Sequence, residues 1–157
     1  MTVFRQMIRN SLLVSLILLL GLENALGFTY VMMRDADLLE QSEFVLVGKV
    51  QKISDVADGA GVIVASRYRI EVERSIKGQS GAVIDVEIPG VREPEEGRMW
   101  LPSAPHFFVD DRVLWFLEQI DGDLYQPMQY ALGVFSLRKW QDKDYAVRQL
   151  RGTAVIP

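Results

Sequence analysis

The chain has 157 residues, 49% of them hydrophobic and 24% charged, with a formal net charge of −4; this is the composition of one globular domain, hardly two, and not of a disordered chain. The acidic balance excludes a protein that wraps nucleic acid, which needs a basic stripe. There is no cysteine, so disulfides, thiolate catalysis, cysteine-rich zinc sites and a lipid on an N-terminal cysteine are excluded as well.

The N-terminus sets the expected compartment. "MTVFRQMIRN" carries Arg5 and Arg9 and no acid, and "SLLVSLILLLGL" is apolar from Leu12 to Leu22 apart from Ser15 and Gly21. "ENALG" then places the small residues Ala25 and Gly27 two apart, as signal peptidase requires. We read residues 1–27 as a signal peptide cleaved after Gly27 and residues 28–157 as a single exported domain, periplasmic or extracellular. The alternative is an uncleaved anchor extending to Met33, the one case in which the protein associates with a membrane. It buries Glu23 and Asn24 in the span, at a cost of about 2–3 kcal/mol for the acid. Either way the arginines stay inside and the remainder of the chain lies outside the cytoplasm. A cysteine-free exported domain must be held together by burial alone, for which its length suffices.

In chain order, "DADLLEQSEF" opens with polar residues able to cap one or two helical turns. "EFVLVGKVQKI" reads as a strand in which Gly48 marks a bulge or a close backbone approach. "SDVADGAGV" is a turn, with Asp58-Gly59 at its tip. "SRYRIEVERSIKG" alternates with period two: Tyr68, Ile70 and Val72 face one way, and Arg67, Arg69, Glu71 and Glu73 the other. Mixed charges at alternate positions predict a solvated face with cross-strand pairs. "AVIDVEIPG" places Ile84, Val86 and Ile88 inward and Asp85 and Glu87 outward. "PGVREPEEGRMWLPSAP" holds four of the six prolines and is expected to be irregular, with at most a short helix. "VLWFLEQ" is a strand, Asp121-Gly122 a hairpin turn, and "YALGVFSLRKWQDKDYAVRQL" a further hairpin turning near Asp142-Lys143. The sum is an all-β domain with one short helix: a small antiparallel closed barrel, OB-like, of five to six strands.

The order of these pieces over residues 36–137 resembles a family of exported bacterial β-barrel domains related in shape to the tissue inhibitors of metalloproteinases and netrin-like modules. "DLLEQSEFVLVGKV" resembles its opening strand with Val-Gly-x-Val, "YRIEVERSIKG" its second strand, and "VEIPG" the third with its Pro-Gly exit. "PHFFVDDRVLWFL" and "YALGVFSL" resemble its later strands. The chain departs from the pattern at Asp110-Asp111, where Gly followed by an acid is expected, and it lacks the N-terminal cysteine through which the animal inhibitors reach a catalytic zinc. The resemblance implies the barrel and an exported binding or accessory role, and it carries over no catalytic residue.

Candidate chemistry is sparse. His106 is the only imidazole, with Ser103 upstream and Asp110 and Asp111 downstream, but there is no Gly-x-Ser-x-Gly elbow and no second histidine for zinc. It reads as a loop residue. Asp110-Asp111, Asp55 with Asp58, and Asp121 with Asp123 lack the spacing of a calcium loop and suit turns better. Glu93, Glu95 and Glu96 sit in a Pro- and Gly-bearing loop, where exposure is the default. No cofactor or metal is expected and no enzyme activity is indicated. The aromatics carry more interest. We expect a protein partner outside the cytoplasm, an extracellular protease or an envelope component, to be engaged through the loop around 89–108, by Met99, Trp100, Leu101, Phe107 and Phe108. A carbohydrate- or small-ligand-binding barrel using surface aromatics is the alternative, and a weak hydrolase centred on His106 a remote one. Of Trp115 and Phe116, adjacent in a strand, one must point into the barrel and the other out; the outer face is expected to be buried by the long loop or by a helix.

Overall fold

The computed structural model describes residues 33–91, 95–101 and 103–149; the expected signal peptide, residues 1–27, lies outside them. Helix α1 spans Asp35–Gln41. Seven strands follow: β1 Phe44–Ala57, β2 Ile63–Lys77, β3 Val83–Pro89, β4 Arg112–Asp121, β5 Leu124–Pro127, β6 Val134–Trp140 and β7 Lys143–Arg148, with a single 3-10 turn, Tyr130–Gly133, between β5 and β6. Among the described residues no helix is long and apolar enough to cross a membrane.

β1, β2, β3, β5 and β4 follow one another round a ring that closes where β4 returns to β1, an arrangement compatible with an OB-like barrel. Pairing is antiparallel, as expected, at every seam but one: β3 and β5 run parallel, Asp85 opposite Leu124 and Val86 opposite Tyr125. Parity requires it. Strand direction cannot alternate all the way round a ring of five, so one neighbouring pair must be parallel. The other two strands stand outside the ring. β6 pairs with β4 at Val113–Trp115, on the flank that β5 occupies only from Leu117 onward. β7 then folds back on β6 through Gln141 and Asp142, both with positive φ. The turn therefore lies one residue earlier than the sequence suggested. Two left-handed central residues are what a two-residue hairpin loop demands.

The interior follows the alternation of the strands. Tyr68, Ile70, Ile84, Val86 and Ile88 all point inward and are buried, with Leu46, Trp115 and Leu117 facing them. Gly48 is both things its position suggested. The β1–β2 register shifts between Val47 and Gly48, and a Cβ at Gly48 would lie 2.3 Å from the Ile70 Cγ2 methyl. On the outer charged face, Arg67 meets Glu87 at 2.8 Å and Arg69 meets Asp85 at 3.0 Å. These are the cross-strand pairs that mixed charges at period two imply, each worth a fraction of a kcal/mol, about 0.2–1.

A second, smaller core lies outside the ring. Trp115 points into the barrel, and Phe116 points out against Phe135 of β6 at 5.7 Å between ring centroids. Leu38 of α1 and Val45 of β1 complete this cluster. Phe116 is thus covered by the helix, one of the two covers expected, together with the β6–β7 hairpin, and not by the long loop. The sequence does not show the hairpin's part in that cover, because the return across β4 is a tertiary feature. No side chain caps the start of α1; Arg34 instead grips Asp37 at 2.9 Å. At its other end the Ser42 hydroxyl and backbone N–H both donate to the Leu38 carbonyl, satisfying a helix-end acceptor that would otherwise be orphaned.

Candidate functional site

The segment joining β3 to β4 crosses one end of the barrel, and its backbone is pinned at both ends. Gly90 N–H donates to the Val64 carbonyl at 2.7 Å. Ile63 N–H donates to Gly97, and Met99 N–H returns a bond to Ile63, at 2.8 and 2.7 Å. Val91 N–H and Leu101 N–H complete the stitching to Met99 and Val91. Residues 97–101 therefore lie as a short parallel bridge between the start of β2 and Val91. Gly90 makes this approach possible. Its φ is +74°, and a Cβ there would stand 2.5 Å from that of Leu101, a clash in a backbone region that L side chains rarely enter. Arg98 fastens the bridge from the side, with both Nη groups on the Asp55 carboxylate at 3.0 and 2.7 Å and its Nε on Glu95.

At the far end, Asp110 N–H donates to Val50 and Val50 N–H donates to Asp111, at 2.8 and 2.9 Å. Asp110 adopts φ +74°, the left-handed conformation that aspartate tolerates better than most residues. The turn expected where the resemblance calls for glycine is thus made by aspartate. The Asp111 carboxylate accepts the Phe108 N–H at 2.9 Å, and Lys49 reaches Asp110 at 2.7 Å.

Between these anchors the five expected contact residues part company. Phe107 is completely buried. It enters the barrel with its ring 5.7 Å from that of Tyr68 and 5.2 Å from that of Trp115. It is a plug of the core and is withdrawn from the contact surface; adjacent residues of an extended segment face opposite ways, and the inward side here is Phe107's. Phe108 is 66% exposed, Trp100 53% and Met99 37%. Leu101 is half-buried against Gly90 and acts as an anchor. Trp100 sits opposite Val91, whereas Phe108 stands against the His106 ring, edge to face at 4.9 Å. The structure thus gives the exposed residues two settings, one beside the β1–β2 hairpin and one beside β6–β7.

The second setting extends onto residues that the sequence did not single out. His106 N–H donates to the Gln149 side chain at 3.3 Å, and Gln149 donates to the Ser136 hydroxyl at 2.9 Å. This ties the end of the loop to the β6–β7 hairpin, whose Trp140, Tyr145 and Val147 are exposed. The available signal was the period of two in "DYAV", which puts Tyr145 and Val147 on one face, but an exposed and a buried apolar face look alike before the layers are known.

The other candidates resolve into structural roles. Asp55 is engaged by Arg98, and Asp58 accepts the N–H groups of Ala60 and Val62 at 2.8 and 2.9 Å, shaping the β1–β2 turn. Glu95 is exposed and paired with Arg98, while Glu93 lies outside the described residues. Among the described residues, no side chain hydrogen-bonds the His106 ring, and no group of three or more His, Asp or Glu could hold a metal ion. Burial pushes the hydroxyls of two core tyrosines, Tyr68 and Tyr125, above the ordinary tyrosine pKa. For Tyr68 this is only partly opposed by hydrogen bonds with the Phe107 backbone and Ser66. A recess of about 420 Å³ between the β6–β7 hairpin and the outer ends of β1 and β2 is bordered by Val47, Ile76, Leu114 and Leu137. Arg112 closes one side of it, joined to Glu73 at 2.9 Å and Asp144 at 3.3 Å. Comparison with protein-family models, curated proteins and solved structures finds no match.

Proposed function

We propose that this chain is an exported, non-catalytic binding module that engages a protein partner outside the cytoplasm through the β3–β4 connection. The observation that carries the reading is the combination of exposed Met99, Trp100 and Phe108 with a backbone hydrogen-bonded to the barrel on both sides. Large apolar side chains in a flexible loop would lose ordering entropy on binding; here much of that ordering already exists. Tryptophan and phenylalanine held on a rigid scaffold are typical anchors of protein interfaces.

The electrostatics agree with a protein partner rather than nucleic acid. Arg67, Arg69, Arg98 and Arg112 each face a carboxylate within 3.0 Å, so these four guanidinium groups are neutralised within the chain and do not make a basic stripe. Replacing Met99 and Trp100 together by Ser tests the reading. Capture of a partner from the exported fraction should fall steeply, while the thermal midpoint moves by no more than about 2 °C. A large loss of stability would reassign Trp100 to the core and remove the proposed surface.

A further inference from the structure

We propose that β7 is a homodimerisation edge: it pairs antiparallel, across a two-fold axis at Ala146, with β7 of a second copy of this chain. The argument begins with the hairpin. Trp140 faces Lys143 across a two-residue turn, so these two exchange the first backbone bonds, and alternation gives the next to Arg138–Tyr145 and Ser136–Val147. The N–H and C=O groups of Lys143, Tyr145 and Val147 thus point back to β6. Those of Asp144, Ala146 and Arg148 point outward, and β7 is the last strand of the sheet. No backbone partner takes the outward groups of Asp144 or Ala146 among the described residues. Such a row of free donors and acceptors is a template for another strand.

The residues along this edge select their own copy as the occupant. With Ala146 opposite Ala146 of the second copy, every outward-pointing position meets an outward-pointing position, as antiparallel pairing requires. Asp144 then faces Arg148 of the second copy, and Arg148 faces its Asp144, so the only charges at these positions meet with opposite sign. The residue on the axis is the smallest of the strand. On the opposite face Tyr145 meets Val147 twice, an aromatic–β-branched pair of the kind that stabilises sheets, and both side chains are about half exposed in the single chain. Both partners are already engaged within the chain but keep capacity. Arg148, 15% exposed and lying over the Phe135 ring, reaches Asp35 through Nη2 and the Leu132 carbonyl through Nε, and keeps three of its five N–H groups. Asp144 meets Arg112 at 3.3 Å through Oδ2, leaving Oδ1. Other registers lose this agreement: the shift that places Asp144 opposite Ala146 carries Arg148 past the end of the strand, to Asp142 in the left-handed turn, where the ladder cannot continue. The pairing is small, and a dissociation constant between about 1 μM and 1 mM is expected.

Sedimentation equilibrium of the full protein in its cell-processed form, across this concentration range, provides the test. Ala146→Pro is the primary variant. The N–H it removes points away from β6, so the hairpin keeps its ladder, but both central bonds of the dimer vanish; the dissociation constant should rise about 30-fold or more. Asp144→Arg and Arg148→Asp supply a second route that does not depend on tolerance of proline. Each places like charges opposite one another in its own homodimer and should be monomeric, whereas an equimolar mixture restores both pairs and should dimerise. A wild-type protein that stays monomeric to about 1 mM overturns the proposal, whether or not the edge accepts an extended peptide from another protein. So does a dimer of unchanged affinity in a folded Ala146→Pro variant, which would place the interface elsewhere. Met99 and Trp100 belong to the other setting, beside the β1–β2 hairpin, so failure here leaves the reading at those two residues standing, and the reverse also holds; Phe108, beside the β6–β7 hairpin, is kept out of both sets of variants.

Discussion

Truncating Phe107 to Ala should be the most damaging single change in the β3–β4 connection, and truncating its neighbour Phe108 should be almost silent. Phe107 has no exposed surface and its ring lies between those of Tyr68 and Trp115, at 5.7 and 5.2 Å. Burying a phenylalanine and filling its site is worth about 3–5 kcal/mol against Ala, and the surrounding strands are hydrogen-bonded and cannot collapse far into the gap. For a domain of this size each kcal/mol moves the thermal midpoint by about 3–5 °C, so a fall of about 10–20 °C is expected. Phe108 is 66% exposed, and its truncation should cost less than about 0.5 kcal/mol. Urea unfolding followed by tryptophan fluorescence reports both, since Trp115 touches the Phe107 ring. A Phe107→Ala cost below about 1 kcal/mol, or equal costs at the two positions, would refute the division of this segment into plug and surface.

Three further outcomes follow from the same geometry. Gly48→Ala sets a methyl 2.3 Å from Ile70 Cγ2 and 2.9 Å from the Glu71 carbonyl oxygen, so denaturant titration should show a loss of about 1–3 kcal/mol; an unchanged midpoint would mean that β1 and β2 do not approach so closely. Tyr68 has its folded-state pKa raised above the ordinary 10.0. The unfolded chain therefore loses its proton first as pH rises, and stability should decline once pH passes about 10, an alkaline decline that Tyr68→Phe should reduce in pH-dependent unfolding experiments. Asp110→Gly should be tolerated to within about 1 kcal/mol, because glycine relieves the left-handed backbone while giving up only the exposed Lys49 pair; Asp110→Val should cost more than Asp110→Gly by at least about 1 kcal/mol in the same titration.

How far the sequence could be read depended on whether a feature was periodic or relational. The inward sets of β2 and β3, headed by Tyr68, Ile70 and Ile84, are visible because alternation of side chains is a local property of the chain. The same is true of the outward set Arg67, Arg69, Asp85 and Glu87, though not of which partner each meets, and of the turn at Asp110. Relations between distant elements were not visible. The parallel β3–β5 seam comes from ring parity, which operates only once five strands have closed. Phe116 could be placed outside the barrel, beneath a loop or helix, but not against Phe135, since no local pattern says that the β6–β7 hairpin folds back over β4. In the candidate site, Met99 and Trp100 were legible as apolar residues in a proline-bearing loop. Phe107 and Phe108 were not separable, because an irregular segment gives no phase for the inward side. Trp140, Tyr145 and Val147 were overlooked for a related reason: their exposure arises from β6 and β7 standing outside the ring.

The central claim is that the β3–β4 connection is a contact surface, and site-specific photo-crosslinking in the producing cell tests it most directly. A photoreactive phenylalanine would replace Trp100 or Phe108, with exposed Ile120 near the β4–β5 turn as the control position. The account predicts a discrete adduct with another protein, after export, from positions 100 and 108 and not from 120. Silence at both loop positions, or the same adduct from 120 as from 100, would contradict it.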